Sequence, residues 1–202
     1  MAPSLLCGVD RSTKIRRSDW PETLWTIGHS TRTGEEFIAL LQANDIEVLA
    51  DVRHFPGSRR YPHFNAEPLR KALQNARIGY EPFTELGGRR NVLPDSPNTG
   101  WRHTAFRGYA DYTASPAFQD GIERLKAVAC AHRTAIMCAE AVWWRCHRGL
   151  ISDQFKLHGT RVLHIMGPGA PREHPYTSAA RIVDGKLDYS ADQRDLSMPP
   201  EA

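Results

Sequence analysis

At 202 residues, with 41% hydrophobic and 24% charged side chains, the chain has the composition of an ordinary globular domain and is neither a fibre nor a disordered polymer. The length suits one domain with a substantial core rather than two, and a formal charge of +3 is too small to mark a nucleic-acid binder by its mean value. No apolar run approaches the roughly 20 residues that cross a bilayer, and the opening segment is too short in apolar residues for a secretory leader, so a cytoplasmic protein with no membrane partner is expected.

Residues 1–22 show no sustained periodicity and carry Arg11, Lys14, Arg16 and Arg17, which predicts a flexible N-terminal arm. Leu24 to Ile27 reads as the first strand, stopped by Gly28, and Thr33 with Glu36 forms a capping box ahead of Phe37, Ile38, Leu40 and Leu41. Val48 to Ala50 is a second buried strand. A polar loop then leads into a helix facing inward through Leu69, Ala72, Leu73 and Ala76. Ile78 to Phe83 is a short third strand that Pro82 assigns to a sheet edge. The segment from Gly87 to Thr104, dense in Gly, Pro, Asn and Asp, predicts a long surface loop that could serve as a lid.

Ser115-Pro116 signals the start of a helix carrying Phe118, Ile122, Leu125 and Val128 on one face. Thr134 to Met137 is the next strand. A helix beginning near Cys146 then turns Leu150, Ile151 and Phe155 inward and ends at Gly159, and Val162 to Ile165 is the last core strand. The expected fold is therefore α/β: a single compact domain over residues 23–166, with a mainly parallel sheet flanked by helices. Residues 167–202 form a C-terminal extension with a hairpin at Asp184-Gly185, its last dozen residues disordered.

In a parallel sheet ligands bind beyond the carboxyl ends of the strands. Three strand ends here are polar: His29-Ser30, Asp51-Val52-Arg53 and Cys138-Ala139-Glu140. Each could be a satisfied loop group, but charged and nucleophilic residues gathered on one sheet edge favour a site, because burying them otherwise costs several kcal/mol. The four cysteines, at positions 7, 130, 138 and 146, are irregularly spaced in a chain that needs no covalent staples, so they are expected as reduced thiols. Cys130 fits a buried, inert cysteine. Cys146, at a helix start between Arg145, His147 and Arg148, fits a lowered pKa and a thiolate nucleophile.

Cys138 and Cys146 admit several readings. Their spacing lacks the C-x-x-C of a zinc site and adjacent Cys146-His147 rarely converge on one ion, so neither a metal nor a cofactor is expected. A cysteine phosphatase loop is excluded, since Trp144 stands where that signature needs arginine. A redox couple stays geometrically open within the ~7 Å that a disulfide allows between Cα atoms. From Arg53 to Arg107 the chain has ten Lys or Arg against four Asp or Glu, interleaved with Tyr61, Phe64 and Trp101. That excess suits an anionic, phosphate-bearing small molecule or a nucleic acid, with Arg53, Arg59, Arg60, Arg89 and Arg90 around the mouth of the site and Ser58 holding phosphate beside Arg59 and Arg60 if its loop closes over the site.

Ile27-Gly28-His29-Ser30, Asp51-Val52-Arg53 with Pro56 and Ser58, Leu86-Gly87-Gly88-Arg89, and the stretch from Cys138-Ala-Glu to Cys146-His-Arg together resemble the bacterial and archaeal domain-of-unknown-function family numbered 488. The likeness runs from about Thr23 to Met166 and recurs at Ala180 to Gly185. It implies a compact α/β fold and places His29, Ser30, Asp51, Arg53, Ser58, Cys138, Glu140, Cys146, His147 and Arg148 in the family's shared motifs, without supplying an activity. Asp-Val-Arg is also similar to a rhodanese word, but the active-site loop of that fold does not follow a later strand here. The leading expectation is an enzyme on a phosphate-bearing ligand, with Cys146 or Cys138 as nucleophile or redox thiol. Glu140 or His147 would exchange protons, His29 and Asp51 would complete the catalytic set, and Ser30, Arg53 and Arg148 would hold the ligand. The competing class is a non-catalytic nucleotide or nucleic-acid binding module.

Overall fold

The computed structural model describes residues 19–191; residues 1–18 of the expected arm and 192–202 of the expected disordered end lie outside the described residues. A six-stranded sheet runs β3-β2-β4-β1-β5-β6, where β1 is Thr23–Gly28, β2 Val48–Asp51, β3 Gly79–Pro82, β4 Thr134–Cys138, β5 Arg161–Ile165 and β6 Arg172–Glu173. The first five strands are parallel and β6 is antiparallel to β5. The segment carrying Pro82 sits at the edge, where a missing amide costs no ladder bond. A hairpin of β7 (Arg181–Val183) and β8 (Lys186–Asp188) turns at Asp184-Gly185, both at positive φ. The fold class is the expected α/β.

Strand alternation feeds two cores. Trp25, Ile27, Leu49, Ala135 and Met137 face α1 (Gly34–Gln42) and α2 (Ala66–Asn75) and meet Phe37, Leu41, Leu69 and Leu73. Leu24, Ala50, Ile136 and Cys138 face the other way, toward α3 (Thr104–Tyr112), α4 (Pro116–Ala131) and α5 (Arg148–Leu157). The caps read from sequence are present: Thr33 and Glu36 bond reciprocally at the start of α1, and Ser115 Oγ accepts from the Phe118 amide at the start of α4. Helix α3, which carries Phe106, Tyr109 and Ala110, follows directly on the expected surface loop and was not expected. It is tied to that loop by Asp111, whose carboxylate accepts from the Leu93 amide, Ser96 Oγ and Asn98 Nδ2.

The segment after Gly167 is docked through a buried carboxylate. Asp153, in α5, accepts from His174 Nε2 (2.9 Å), the Thr177 amide (2.9 Å), Thr177 Oγ1 (2.6 Å) and Tyr189 Oη (3.0 Å), and all four residues are buried. Three residues of the extension thus hang on one side chain of the preceding helix. Asp153→Ala is expected to cost about 3–5 kcal/mol by leaving these donors unpaired. Urea unfolding together with trypsin cleavage at Arg172 and Arg181 measures it, and an unchanged urea midpoint with no faster cleavage would show that the carboxylate does not hold the extension.

Candidate functional site

The carboxyl ends of β1, β4 and β2 lie side by side, with Gly28 opposite Cys138 and Asp51 opposite Met137. All three polar strand ends therefore share one edge. Gly28 is the contact point: a Cβ there would stand 1.9 Å from the Glu140 carbonyl oxygen, so only glycine lets the chain after β4 cross over β1. His29 and Ser30 continue the contact, donating backbone N–H bonds to the carbonyls of Cys138 (3.0 Å) and Ala139 (2.9 Å), with Ser30 at φ 49°.

Alternation then separates the residues into two groups. His29 and Asp51 turn to the α1/α2 side with Arg53. The Arg53 guanidinium donates to Asp51 Oδ1 (2.8 Å) and Oδ2 (2.6 Å) and to the Phe64 carbonyl (2.9 Å), and it approaches His29 Nε2 at 3.4 Å. Tyr80 Oη adds a 2.8 Å bond to Asp51, and the His29 ring stacks on Phe64. Burial works against the Arg53 charge, but the Asp51 carboxylate outweighs it and holds the guanidinium protonated. Burial, and then the Arg53 charge, lower the His29 pKa to about 4. Within this group the Nε and Nη2 donors of Arg53 go to Asp51 and Phe64.

Cys138, Cys146, His147 and Arg148 occupy the other side. Helix α5 starts two residues later than expected, at Arg148 with His147 as its cap, and Cys146 closes the short 3-10 turn Trp143–Arg145. His147 Nδ1 lies 3.8 Å from Cys138 Sγ and 3.7 Å from Cys146 Sγ, while its Nε2 is 2.9 Å from the Val52 carbonyl. A carbonyl only accepts, so Nε2 carries the hydrogen and Nδ1 turns toward the sulfurs. Arg148 is 1% exposed. It donates from Nε to Cys146 Sγ (3.3 Å), from Nη1 to Thr26 Oγ1 (3.4 Å) and from Nη2 to the Glu140 carbonyl (2.7 Å), and none of these partners is a carboxylate.

A buried guanidinium needs an anion, and the atom placed to be one is the Cys146 sulfur. Burial pushes that thiol up, but the neighbouring Cys138 thiol and then the Arg148 charge prevail and bring it well below the ordinary value. Cys138 moves the opposite way, raised by donating to Cys146 and by its own burial. Behind Arg148 the bonding continues from Thr26 Oγ1 to His164 Nδ1 (2.7 Å), His164 Nε2 to His174 Nδ1 (2.9 Å) and His174 to Asp153, with Trp143 stacked on His164. The Asp153 carboxylate sets both tautomers, so every donor in the chain points from Arg148 toward Asp153.

A cavity of about 570 Å³ opens above the thiols, the size of a small-ligand site. Cys138, Cys146 and His147 form its floor, Phe55, Phe106 and Tyr109 its apolar wall, and Arg89, Arg145, His54 and His103 its basic rim, with Glu140 and Arg53 also bordering it. Gly88 lets the loop close over the floor, since a Cβ there would come 3.0 Å from His147 Nδ1.

Several expected positions fall elsewhere. His29, Ser30 and Asp51 do not line the cavity. Nor do Ser58, whose hydroxyl accepts from the Tyr61 amide in its own loop, or the exposed Arg59 and Arg60. Arg90 bonds back to the Gly87 and Glu85 carbonyls. The Glu140 side chain is exposed, and its backbone carbonyl serves the buried network. Cys130, expected to be buried, is exposed, and Cys7 lies outside the described residues. The spacing argument against convergence of Cys146 and His147 also fails: their donor atoms and the Cys138 sulfur lie within 4.8 Å of one another. His54, His103, Phe106 and Tyr109 were missed, and only the unread helix α3 would have found the last three. No helix among the described residues is long and apolar enough to cross a membrane.

Residues 33–155, more than half of the chain, match the model of the family described as domain of unknown function DUF488, and the chain belongs to that family. No curated protein and no solved structure matches it. The matched span contains the whole floor and rim of the cavity and stops short of the extension that Asp153 docks.

Proposed function

We propose, with membership of the DUF488 family as the premise, that this protein is an enzyme acting on a phosphate-bearing small molecule, a nucleotide or nucleic-acid component, through the Cys146 thiolate. The observation that carries the reading is the buried Arg148 guanidinium, whose nearest anion-forming partner is a sulfur on the floor of a ligand-sized cavity. A thiolate held in this way is a nucleophile prepared before substrate arrives. Arg89 and Arg145 supply positive charge at the rim, and Phe55 and Phe106 supply faces on which a base can stack. His147 stands close enough to both sulfurs to exchange protons during the reaction, and Glu140 borders the entrance as a second proton-exchange group. His29 and Asp51 support the floor from the α1/α2 side, and Arg53, held by Asp51, borders the cavity.

The test is alkylation by iodoacetamide near pH 7 in the presence and absence of nucleoside mono- and diphosphates at low salt. Cys146 is expected to be modified first, nucleotides to slow that reaction, added salt to weaken the protection, and Arg89→Ala with Arg145→Ala to abolish it. If no nucleotide, inorganic phosphate or short oligonucleotide protects Cys146, the phosphate-ligand reading falls. Protection without turnover of any of them would leave a binding module.

A further inference from the structure

We propose that Cys138 Sγ, Cys146 Sγ and His147 Nδ1 form a three-ligand site for one zinc-class divalent cation, with the fourth position open to the cavity. Tetrahedral zinc with bonds of about 2.3 Å to sulfur and 2.0–2.1 Å to nitrogen places sulfur and nitrogen roughly 3.6 Å apart. The observed separations are 3.8 and 3.7 Å, and all three donor atoms lie within 4.8 Å of one another. Among the described residues no other three His, Cys, Asp or Glu side chains converge in this way.

The surroundings are those of a ligating histidine and ligating thiolates. The Val52 carbonyl takes the Nε2 hydrogen at 2.9 Å, which fixes the tautomer and leaves the Nδ1 lone pair facing the sulfurs. Arg148 Nε donates to Cys146 Sγ at 3.3 Å. Such outer hydrogen bonds orient thiolates and moderate their charge on a metal. On binding, Cys138 loses its proton to solvent, and two thiolates and a neutral imidazole then neutralise the dication. The remaining positive charge of Arg148 and of the rim arginines suits water or an anion in the fourth position. The protein supplies the geometry through its fold: Cys138 comes from the end of β4, and Cys146 and His147 come from the turn that leads into α5.

This site goes beyond the thiolate nucleophile. Only one consequence rests on that reading: a bound cation occupies Cys146 and reversibly blocks its attack. The experiment uses the full chain, reduced, stripped with a chelator and carrying Cys7→Ser and Cys130→Ser so that only the two floor thiols remain. One equivalent of Co2+ is expected to produce thiolate-to-cobalt charge transfer in the near ultraviolet and the intense visible bands of a tetrahedral ion, and Zn2+ to bleach both. His147→Gln is expected to weaken Zn2+ binding by at least about 10-fold. In parallel, Zn2+ added to the otherwise unaltered chain should protect Cys138 and Cys146 from iodoacetamide while Cys130 is still modified, a readout that needs no variant to fold. Absence of the charge-transfer bands, with both floor thiols modified at the metal-free rate, would overturn the site. Metal binding without nucleotide protection in the stripped protein would leave the metal site standing and remove the phosphate-ligand enzyme. Nucleotide protection without metal binding would do the reverse.

Discussion

Arg148→Met is expected to slow alkylation of Cys146 near neutral pH by 10-fold or more and to destabilise the protein by about 3–5 kcal/mol. Both effects come from one cause. Arg148 is 1% exposed and bonds to Cys146 Sγ, Thr26 Oγ1 and the Glu140 carbonyl. Without it the thiolate stays buried with its counter-charge gone, so the sulfur takes up a proton and loses nucleophilicity. Two oxygen acceptors lose their donor at the same time. Arg148→Lys keeps the charge but not the planar fork that reaches three partners, so an intermediate labelling rate is expected. The double variant Arg148→Met, Cys146→Ala separates the pair from the scaffold. If the guanidinium is held largely by the sulfur, the double variant will be less destabilised than the sum of the single variants, measured by urea unfolding. Strict additivity, or an unchanged labelling rate in Arg148→Met, would show that the Arg148–Cys146 contact carries no charge coupling.

Lowering the pH from 7 to 5 is expected to cost on the order of 4 kcal/mol of stability, about 2 from each of two buried histidines. His29 has its pKa brought from the ordinary 6.5 to about 4 by burial and then by Arg53. His164 is brought to about 2 by burial and then by His174 and Arg148. Both are neutral in the folded protein and regain their ordinary pKa when unfolded. Below pH 6.5 the unfolded chain therefore binds more protons than the folded one, and stability falls as the pH falls. The loss from His29 levels off near pH 4, and that from His164 continues toward pH 2. The check is the urea midpoint at pH 7 and pH 5 for the unaltered chain, His29→Gln and His164→Gln. Each variant starts less stable, having lost its hydrogen bonds, but its decline across this interval should be smaller by one histidine's share. Equal midpoints at the two pH values in the unaltered chain would sink the account.

Much of the scaffold was legible because its causes are local. Apolar runs at Leu24, Val48, Thr134 and Val162 marked the buried parallel strands, Thr33 with Glu36 and Ser115 with Pro116 marked helix starts, Pro82 marked a sheet edge, and Asp184-Gly185 marked a hairpin. Each signal depends on neighbours a few residues apart, and each agrees with the structure. Helix α3 and β6 were not expected. The second, two residues long, exists only through its pairing with β5.

The rule that ligands meet the carboxyl ends of parallel strands brought His29, Asp51 and Cys138 to one edge on sequence alone. Which face of the sheet each side chain occupies was a tertiary matter. Pleat parity and strand register send His29 and Asp51 toward α1 and α2, while Cys138 faces α5. Partner choice was tertiary as well. Arg53 met Asp51 and Phe64, and Arg148 met a sulfur rather than a carboxylate. The convergence of Cys138, Cys146 and His147 could not be read from spacing, because it depends on how a 3-10 turn swings back over the end of β4. The sequence by itself determined the order of the elements and the edge where the polar strand ends gather, since those follow from periodicity and turn residues. Only the tertiary structure decided which groups are spent on one another and which are left facing the cavity, since that depends on distances between residues far apart in the chain.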